Sequence, residues 1–330
     1  MAGIQEIAEK AGVSPATVSR ALRGLQHVNE QTRSKIVAAA EALDYPFETA
    51  AKKNGDTNTV GIISPYTSKW FFAEAIAGIA QALRDAQMDI LLYNFTEIKG
   101  REKLFRGRQI RESVDALITI SLPPTQEEFE TMLALGIPTS LIGFHHPSFS
   151  SIAIDDVAGA QTATQHLINQ GHTKIGIIAG ERSSAWDFPV HRDRRNGFMT
   201  ALNGAGLTLN PQHEAFANFD MDSGQRAMDE LLARKDRPTA IFCESDEMAF
   251  GAMMSLKRHN LKCPEDISLI GFDGHPMAEF ANLTTIAQPV RLLGEMAAWS
   301  VMEKINKPAS APKDISLPTT LIVRGSTKKI

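Results

Sequence analysis

The chain has 330 residues, 43% of them hydrophobic and 22% charged, with a formal net charge of −4. That length supports two or three domains with full cores, and the balance is that of an ordinary globular protein, not of a strongly basic nucleic-acid binder. No early apolar run follows basic residues and no stretch of about 18 apolar residues occurs, which excludes an export signal and a membrane span from expectation. The two cysteines, Cys243 and Cys263, have neither metal nor redox spacing, so a reduced, cytoplasmic chain without cofactor is expected.

Ile4, Ile7, Ala8 and Ala11 fall at i, i+3, i+4, i+7 and predict one apolar stripe on a short helix. Gly12 permits a sharp turn, Ser14 is a good N-cap, and Pro15 takes the first helical position, where its missing N–H costs little. On this second helix Val18 and Leu22 face inward, leaving Pro15, Ala16, Ser19 and Arg20 outward. A third helix is predicted from about Glu30, with Ile36, Ala39, Ala40 and Leu43 at helical spacing. Short helices around a tiny core, the second with a polar face, predict a helix-turn-helix head that reads DNA. Acids such as Glu6, Glu9 and Glu30 nearly balance bases such as Lys10, Arg20 and Arg33. One copy is then expected to bind phosphates modestly, which favours a dimer on paired half-sites.

Asp44-Tyr45-Pro46-Phe47 ends the third helix, since the residue before proline avoids the α region. The polar stretch that follows, with Asn54-Gly55 as a turn signal, reads as a linker. The expected division is a head over 1–47, a linker over 48–58 and a body over 59–330. In the body the period changes. Apolar strands are predicted at Val60 to Ser64, Asp89 to Tyr93, Ala116 to Ile120, Pro138 to Ile142 and Ile152 to Ile154. Others follow at Lys174 to Ala179, Thr239 to Phe242 and Ile267 to Phe272. Helices are expected over Phe72 to Ala86, Thr125 to Leu135 and Val157 to Gln170, after Arg194, and from Glu247. Repeated βα units with near-continuous apolar strands imply parallel sheets covered on both faces. Roughly ten strands suit two doubly wound α/β lobes better than one sheet, with a ligand between the lobes at the carboxyl ends of the strands.

The run from Ile7 to Ser14, continued by Thr17-Val18-Ser19-Arg20 and Val28-Asn29-Glu30-Gln31-Thr32-Arg33, resembles the LacI/GalR family of bacterial transcriptional repressors. The resemblance extends through Asp155-Asp156, Arg194 with Gly197-Phe198, Ser245-Asp246, Gly271-Phe272-Asp273, Gln288-Pro289 and Arg324-Gly325-Ser326-Thr327. It implies a periplasmic-binding-protein-like body (type I) whose chain crosses between lobes three times. Lobe 1 is then expected over about 59–155 and 287–318, and lobe 2 over about 156–286 and 319–330. It further implies a homodimer that presents two heads to a palindromic double-stranded DNA operator and takes a small effector in the cleft. A sugar or related polyol leads among effectors, with a nucleoside or purine second. The most specific function implied is repression of a carbohydrate-utilisation operon; the alternative is a small-molecule-binding protein with weak or no DNA role. No heptad tail follows Thr327, which argues against a tail-built tetramer.

The family pattern sets Pro15 and Ala16 in the major groove, with Thr17, Ser19 and Arg20 alongside. Pro15 and Ala16 offer only apolar contact, such as a thymine methyl, whereas Arg20 suits either a bidentate contact to guanine or a phosphate. Arg23, His27, Asn29 and Thr32 are expected as backbone contacts or caps, and Lys52 and Lys53 near phosphates. Asn54 stands where relatives carry a wedging leucine, so deep intercalation is not expected. From the second lobe, Arg194 and Asp273 are expected to converge on the effector, with Ser245, Asp246, Phe219 and Trp186 beside them. From the first come Ser64, Tyr66, Trp70 and Phe71, with Gln288 at a crossing. Ser68-Lys69-Trp70-Phe71-Phe72 replaces the usual Asn-Pro-Phe-Phe, and Gly143 stands where some sugar-responsive relatives have aspartate. The structural alternatives are that Asp246 caps a helix and that Phe71 and Phe72 are core.

Two other classes are weighed. A transport solute-binding protein would need an export signal and no DNA head. An enzyme would need a signature, and no G-x-G-x-x-G, Walker, Ser-His-Asp or H-E-x-x-H pattern occurs; His145-His146 reads as an exposed loop pair.

Overall fold

Small and β-branched side chains let three short helices close on one another at the start of the chain. The structure, a computed structural model, describes residues 4–22, 28–43, 57–94, 104, 110, 113–181 and 189–330. It divides into two compact units, residues 1–57 and 58–330. In the first, α1 (Ile4–Ala11), α2 (Pro15–Leu22) and α3 (Glu30–Glu41) bury Ile7, Ala8, Val18, Ala21, Ile36, Ala39 and Ala40. Gly12, at φ +67°, ends α1: its N–H donates to Glu9 O at 3.3 Å and Val13 N to Ala8 O at 3.0 Å. This pair of bonds satisfies the last carbonyls of the helix and needs a left-handed residue, which glycine supplies without strain. Ser14 Oγ then accepts from Thr17 N at 3.2 Å and caps α2 as expected. Ile4 departs from the predicted stripe. As the first residue of α1 it is 37% exposed. The side chain of Leu22, the Asp44–Phe47 helix end and the 48–56 part of the linker lie outside the described residues.

The second unit holds two six-stranded sheets. Sheet 1 contains β1 (Thr59–Ser64), β2 (Asp89–Asn94), β3 (Ala116–Ile120), β4 (Thr139–Ile142), β5 (Ser150–Ile154) and β11 (Asp314–Leu317). Their order is β11-β5-β4-β3-β1-β2, parallel throughout. Sheet 2 contains β6 (Ile175–Gly180), β7 (Glu214–Ala217), β8 (Ala240–Cys243), β9 (Ser268–Asp273), β10 (Thr284–Ala287) and β12 (Thr320–Ile322). Its order is β12-β10-β9-β8-β6-β7, with β12 alone antiparallel. The helices are α4 (Trp70–Asp85), α5 (Gln126–Leu135), α6 (Asp156–Asn169), α7 (Pro189–Gly204), α8 (Met221–Ala233), α9 (Asp246–Arg258), α10 (Met277–Phe280) and α11 (Val290–Asn306). In each sheet the strand order reverses between two central strands, β1 and β3 or β6 and β8. Such a reversal opens a crevice at the strands' carboxyl ends.

The chain passes from sheet 1 to sheet 2 after β5, back after β10, and to sheet 2 again after β11. The predicted strands appear within one or two residues of their expected bounds. Four-residue β7 and β10, edge strands β11 and β12, and helices α8 and α11 are additional. These edge strands have four and three residues with no buried position, β11 alternating exposed and half-buried and β12 not, too few to establish a period. One helix is displaced from expectation: α7 begins at Pro189, not after Arg194, so Arg194 projects from within the helix. Among the described residues no helix is long and apolar enough to cross a membrane.

Candidate functional site

Three crossings place the ends of β1, β3 and β5 opposite the ends of β6, β8 and β9, and a cavity lies between them. Its atom-free space, open mouth included, is about 790 Å³. Seven expected residues line it: Tyr66 and Phe71 from lobe 1, Arg194, Phe219, Ser245 and Asp273 from lobe 2, and Gln288 from the second crossing.

Arg194 and Asp273 form the centre. The Arg194 side chain is 5% exposed; its Nε donates to Asp156 Oδ1 at 2.8 Å and its Nη1 to Asp273 Oδ1 at 3.2 Å and to the carbonyl of Glu244. The guanidinium also stacks 3.7 Å over the Phe272 ring. Gln288 Nε2 adds a second donor to Asp273 Oδ1 at 2.8 Å. Asp273 is held at φ +125°, a region that side chains rarely adopt, at the last residue of β9. Strain of this kind persists only where surrounding bonds over-determine it. Oδ1 is saturated by arginine and glutamine, while Oδ2 makes no hydrogen bond among the described residues.

Burial sets the protonation of the cluster. It raises the Asp156 carboxyl, although Arg194 opposes it, and raises Asp273 to about 6 against Arg194 and Gln288. Glu244 and Asp246, both fully buried, are pushed well above the carboxylate range by the same desolvation. Buried ion clusters stabilise little by net energy but are costly to break. Arg194 therefore holds geometry as much as it faces the cavity.

Ser64, Trp70 and Asp246 do not line the cavity. Ser64 is fully buried and its Oγ donates to Tyr66 O at 2.6 Å, so it shapes the loop that carries Tyr66. Trp70 packs against the His275 ring at 4.9 Å. Asp246 accepts from His275 N at 2.7 Å and ties down the loop after β9. It is not the cap of α9; Ser245 is, accepting from Met248 N at 3.2 Å while also lining the cavity. Phe71 and Phe72 both line the cavity, and Phe72 belongs to the core as well. Trp186 and Phe188 lie outside the described residues. Gly143 lines the cavity at φ +86°, where a Cβ would stand 2.7 Å from Ser121 Oγ. An aspartate here would have to displace the Ser121 hydroxyl and would be strained at that φ.

Lys69, Asp156, Asn218 and Glu247 line the cavity without having been singled out. Asp156 belongs to the Asp155-Asp156 pair of the family resemblance, and Lys69 to the segment that departs from the family pattern. Glu247 had no signal beyond opening a helix. His145 is exposed and paired with Asp314, but His146 is half-buried and stacks on Phe129 at 4.1 Å, which corrects the reading of both as an exposed pair. No metal-holding group occurs among the described residues.

On the head, Pro15 and Arg20 are exposed on α2, and Arg20 has no partner among the described residues. Thr17 is half-buried with its hydroxyl 2.8 Å from Ser14 Oγ. Asn29 caps α3 by accepting from Thr32 N at 2.8 Å, which commits its side chain to the helix. Arg23, His27, Lys52, Lys53 and Asn54, and the side chains of Ala16 and Ser19, lie outside the described residues.

A helix-turn-helix unit and a two-lobed unit with a ligand-sized cleft define a ligand-responsive DNA-binding regulator. Comparison with known proteins agrees. Residues 3–46 match the model of bacterial regulatory proteins of the lacI family, and residues 164–327 that of a periplasmic binding protein-like domain. The HTH-type transcriptional repressor CytR of Escherichia coli K12 is 32% identical over all of this chain and 97% of its own length. The PurR repressor of Vibrio vulnificus is 32% identical over the whole of both chains. The solved complex of the regulator CelR with cellobiose matches with a TM-score of 0.74 at 28% identity, over 99% of this chain and 100% of that one. The chain belongs to the LacI family of bacterial transcriptional regulators.

Proposed function

We propose that the protein represses a carbohydrate-utilisation operon by binding a palindromic operator as a homodimer, with affinity set by a small effector in the inter-lobe cleft. The observation that carries this reading is the convergence of Arg194 from α7, Asp273 from β9 and Gln288 from the second crossing on one cavity, in a chain that also bears an exposed Arg20 on the second head helix. The division follows as head 1–47, linker 48–58 and body 59–330, acting in the cytoplasm without catalytic chemistry. Relatives named as repressors support this, and the cellobiose complex of CelR supports a sugar or polyol over a nucleoside. Exposed apolar side chains support pairing of bodies: Ile90, Leu91 and Leu92 run consecutively along edge strand β2, and Phe280 on α10 is 82% exposed. The effector acts by population shift, favouring one lobe arrangement through its differential affinity.

Selection of DNA sites from a random pool by the full-length protein tests the reading, followed by gel shifts on the recovered site with sugars, polyols and nucleosides added. A two-fold symmetric site whose affinity responds to one ligand class is expected. Recovery of no sequence preference would remove the regulator reading.

A further inference from the structure

The charges that line the effector cleft do not balance, and one side chain has no hydrogen-bond or ion-pair partner among the described residues. This inference rests on the cleft being the effector site. Arg194 is already matched by Asp156 and Asp273, and Lys69 donates to Asn218 O at 2.6 Å and lies 4.5 Å over the Tyr66 ring. Asp156, Asp273 and Glu247 oppose these two cations on the same cavity. Glu247 is half-buried in the first turn of α9 and makes no hydrogen bond or ion pair among the described residues. Phe71, Phe219 and Val190 supply apolar surface in the same cavity.

A carboxylate taken from water without a donor is unfavourable. Burial, with Asp273 nearby, raises Glu247 to about 7 although Lys69 opposes the shift. Asp273 Oδ2 is likewise without a donor among the described residues. Above about pH 7, where Glu247 and Asp273 are ionised, a phosphate or carboxylate on the ligand would add a further negative group to theirs, with both cations engaged. An N–H donor does the opposite. It satisfies an oxygen that the protein leaves open; an ammonium adds a positive charge that a hydroxyl lacks, and a carbonyl facing the ionised carboxylate would set lone pairs against lone pairs.

We propose that Glu247 is a specificity-determining residue that selects a ring-shaped effector bearing an amino group and no phosphate. The N–H donor has two sources, the amine of an amino sugar and the exocyclic amine of a nucleobase. In both, the counterpart without nitrogen presents a hydroxyl or a carbonyl at the same position.

Isothermal titration of the full-length protein with matched pairs tests this: glucosamine against glucose, cytidine against uridine, and adenosine against inosine, with glucose 6-phosphate and cytidine monophosphate added. In one pair the amino member is expected to bind at least about tenfold more tightly than its counterpart, a difference of about 1.4 kcal/mol. That pair names the source. Glu247→Gln is expected to erase the preference between the two members of that pair. Glu247→Asp, with the carboxylate withdrawn by one methylene, keeps part of it, and ligand-free melts establish that both variants fold. The proposal is overturned if the counterpart binds as tightly, if the preference survives Glu247→Gln, if a phosphorylated member binds best, or if no amino member binds. Gel shifts on the selected operator with the same preparation judge the regulator reading separately.

Discussion

Lys69, at the N-cap of α4 in lobe 1, donates from Nζ to the carbonyl oxygen of Asn218 in lobe 2 at 2.6 Å. Beside it the Trp70 ring lies 4.9 Å from His275 of lobe 2, and His275 meets Phe250 edge-on at 5.5 Å. Both lobe-1 groups come from the segment that departs from the family's usual Asn-Pro-Phe-Phe, so this chain bridges its cleft with residues of its own.

Lys69→Met removes the bridge and keeps most of the stem's packing. A hydrogen bond from a charged donor contributes about 1.5–3 kcal/mol when shielded, less at a partly exposed site such as this one. The ligand-free body is expected to open, seen as a larger radius of gyration in small-angle scattering. An unchanged profile would show that other contacts hold the lobes together.

Arg194→Ala leaves Asp156 and Asp273 buried without their counter-charge, and urea melts of the body should show a loss of about 3–5 kcal/mol. That variant tests folding more than binding. Asp273→Asn is the cleaner probe, since asparagine tolerates positive φ and keeps the shape. It is expected to retain the fold and the operator while losing the effector response. A normal response would detach Asp273 from the ligand.

Stability should fall as pH rises from about 4 to 6 in the ligand-free protein. Asp273 titrates near 6 when folded and near 3.8 when unfolded, because burial outweighs Arg194 and Gln288. The folded state therefore binds more protons in that window, so stabilisation present below about 3.8 is lost as pH passes through about 6. Asp156, Glu244 and Asp246 are raised as well and act in the same direction. Thermal melts of wild type and Asp273→Asn across this range check it, and the variant should show the smaller decline. Parallel curves would place the protonation elsewhere.

Arg20→Ala should relax base preference at one symmetric pair of operator positions, by about 1–3 kcal/mol per contact. Site selection with the variant reads this directly. A uniform loss across all sequences, with a shallower salt dependence, would mark a phosphate contact instead.

Local signals make much of this protein legible in its sequence. The Gly12 turn, the Ser14 cap and the Val18 and Ile36 spacing each state one local preference, and the head forms as those preferences direct. Strands β1, β3 and β6 are read easily because both faces are buried and the apolar run is continuous. The family resemblance also marks Arg194, Asp273 and Phe219, which line the cavity.

What one sequence does not contain is the other lobe. Whether Asp246 or Ser245 caps α9, whether Trp70 enters the cleft or packs on His275, and whether Glu247 meets a partner all depend on segments tens to hundreds of residues away. Chain chemistry by itself determined the head and the βα alternation, since these follow from neighbours a few residues apart, while the groups that face a ligand were marked by the family motifs. The tertiary structure decided which groups are spent on each other, because pairing at the cavity arises only where three crossings bring β5, β9 and β10 to one place.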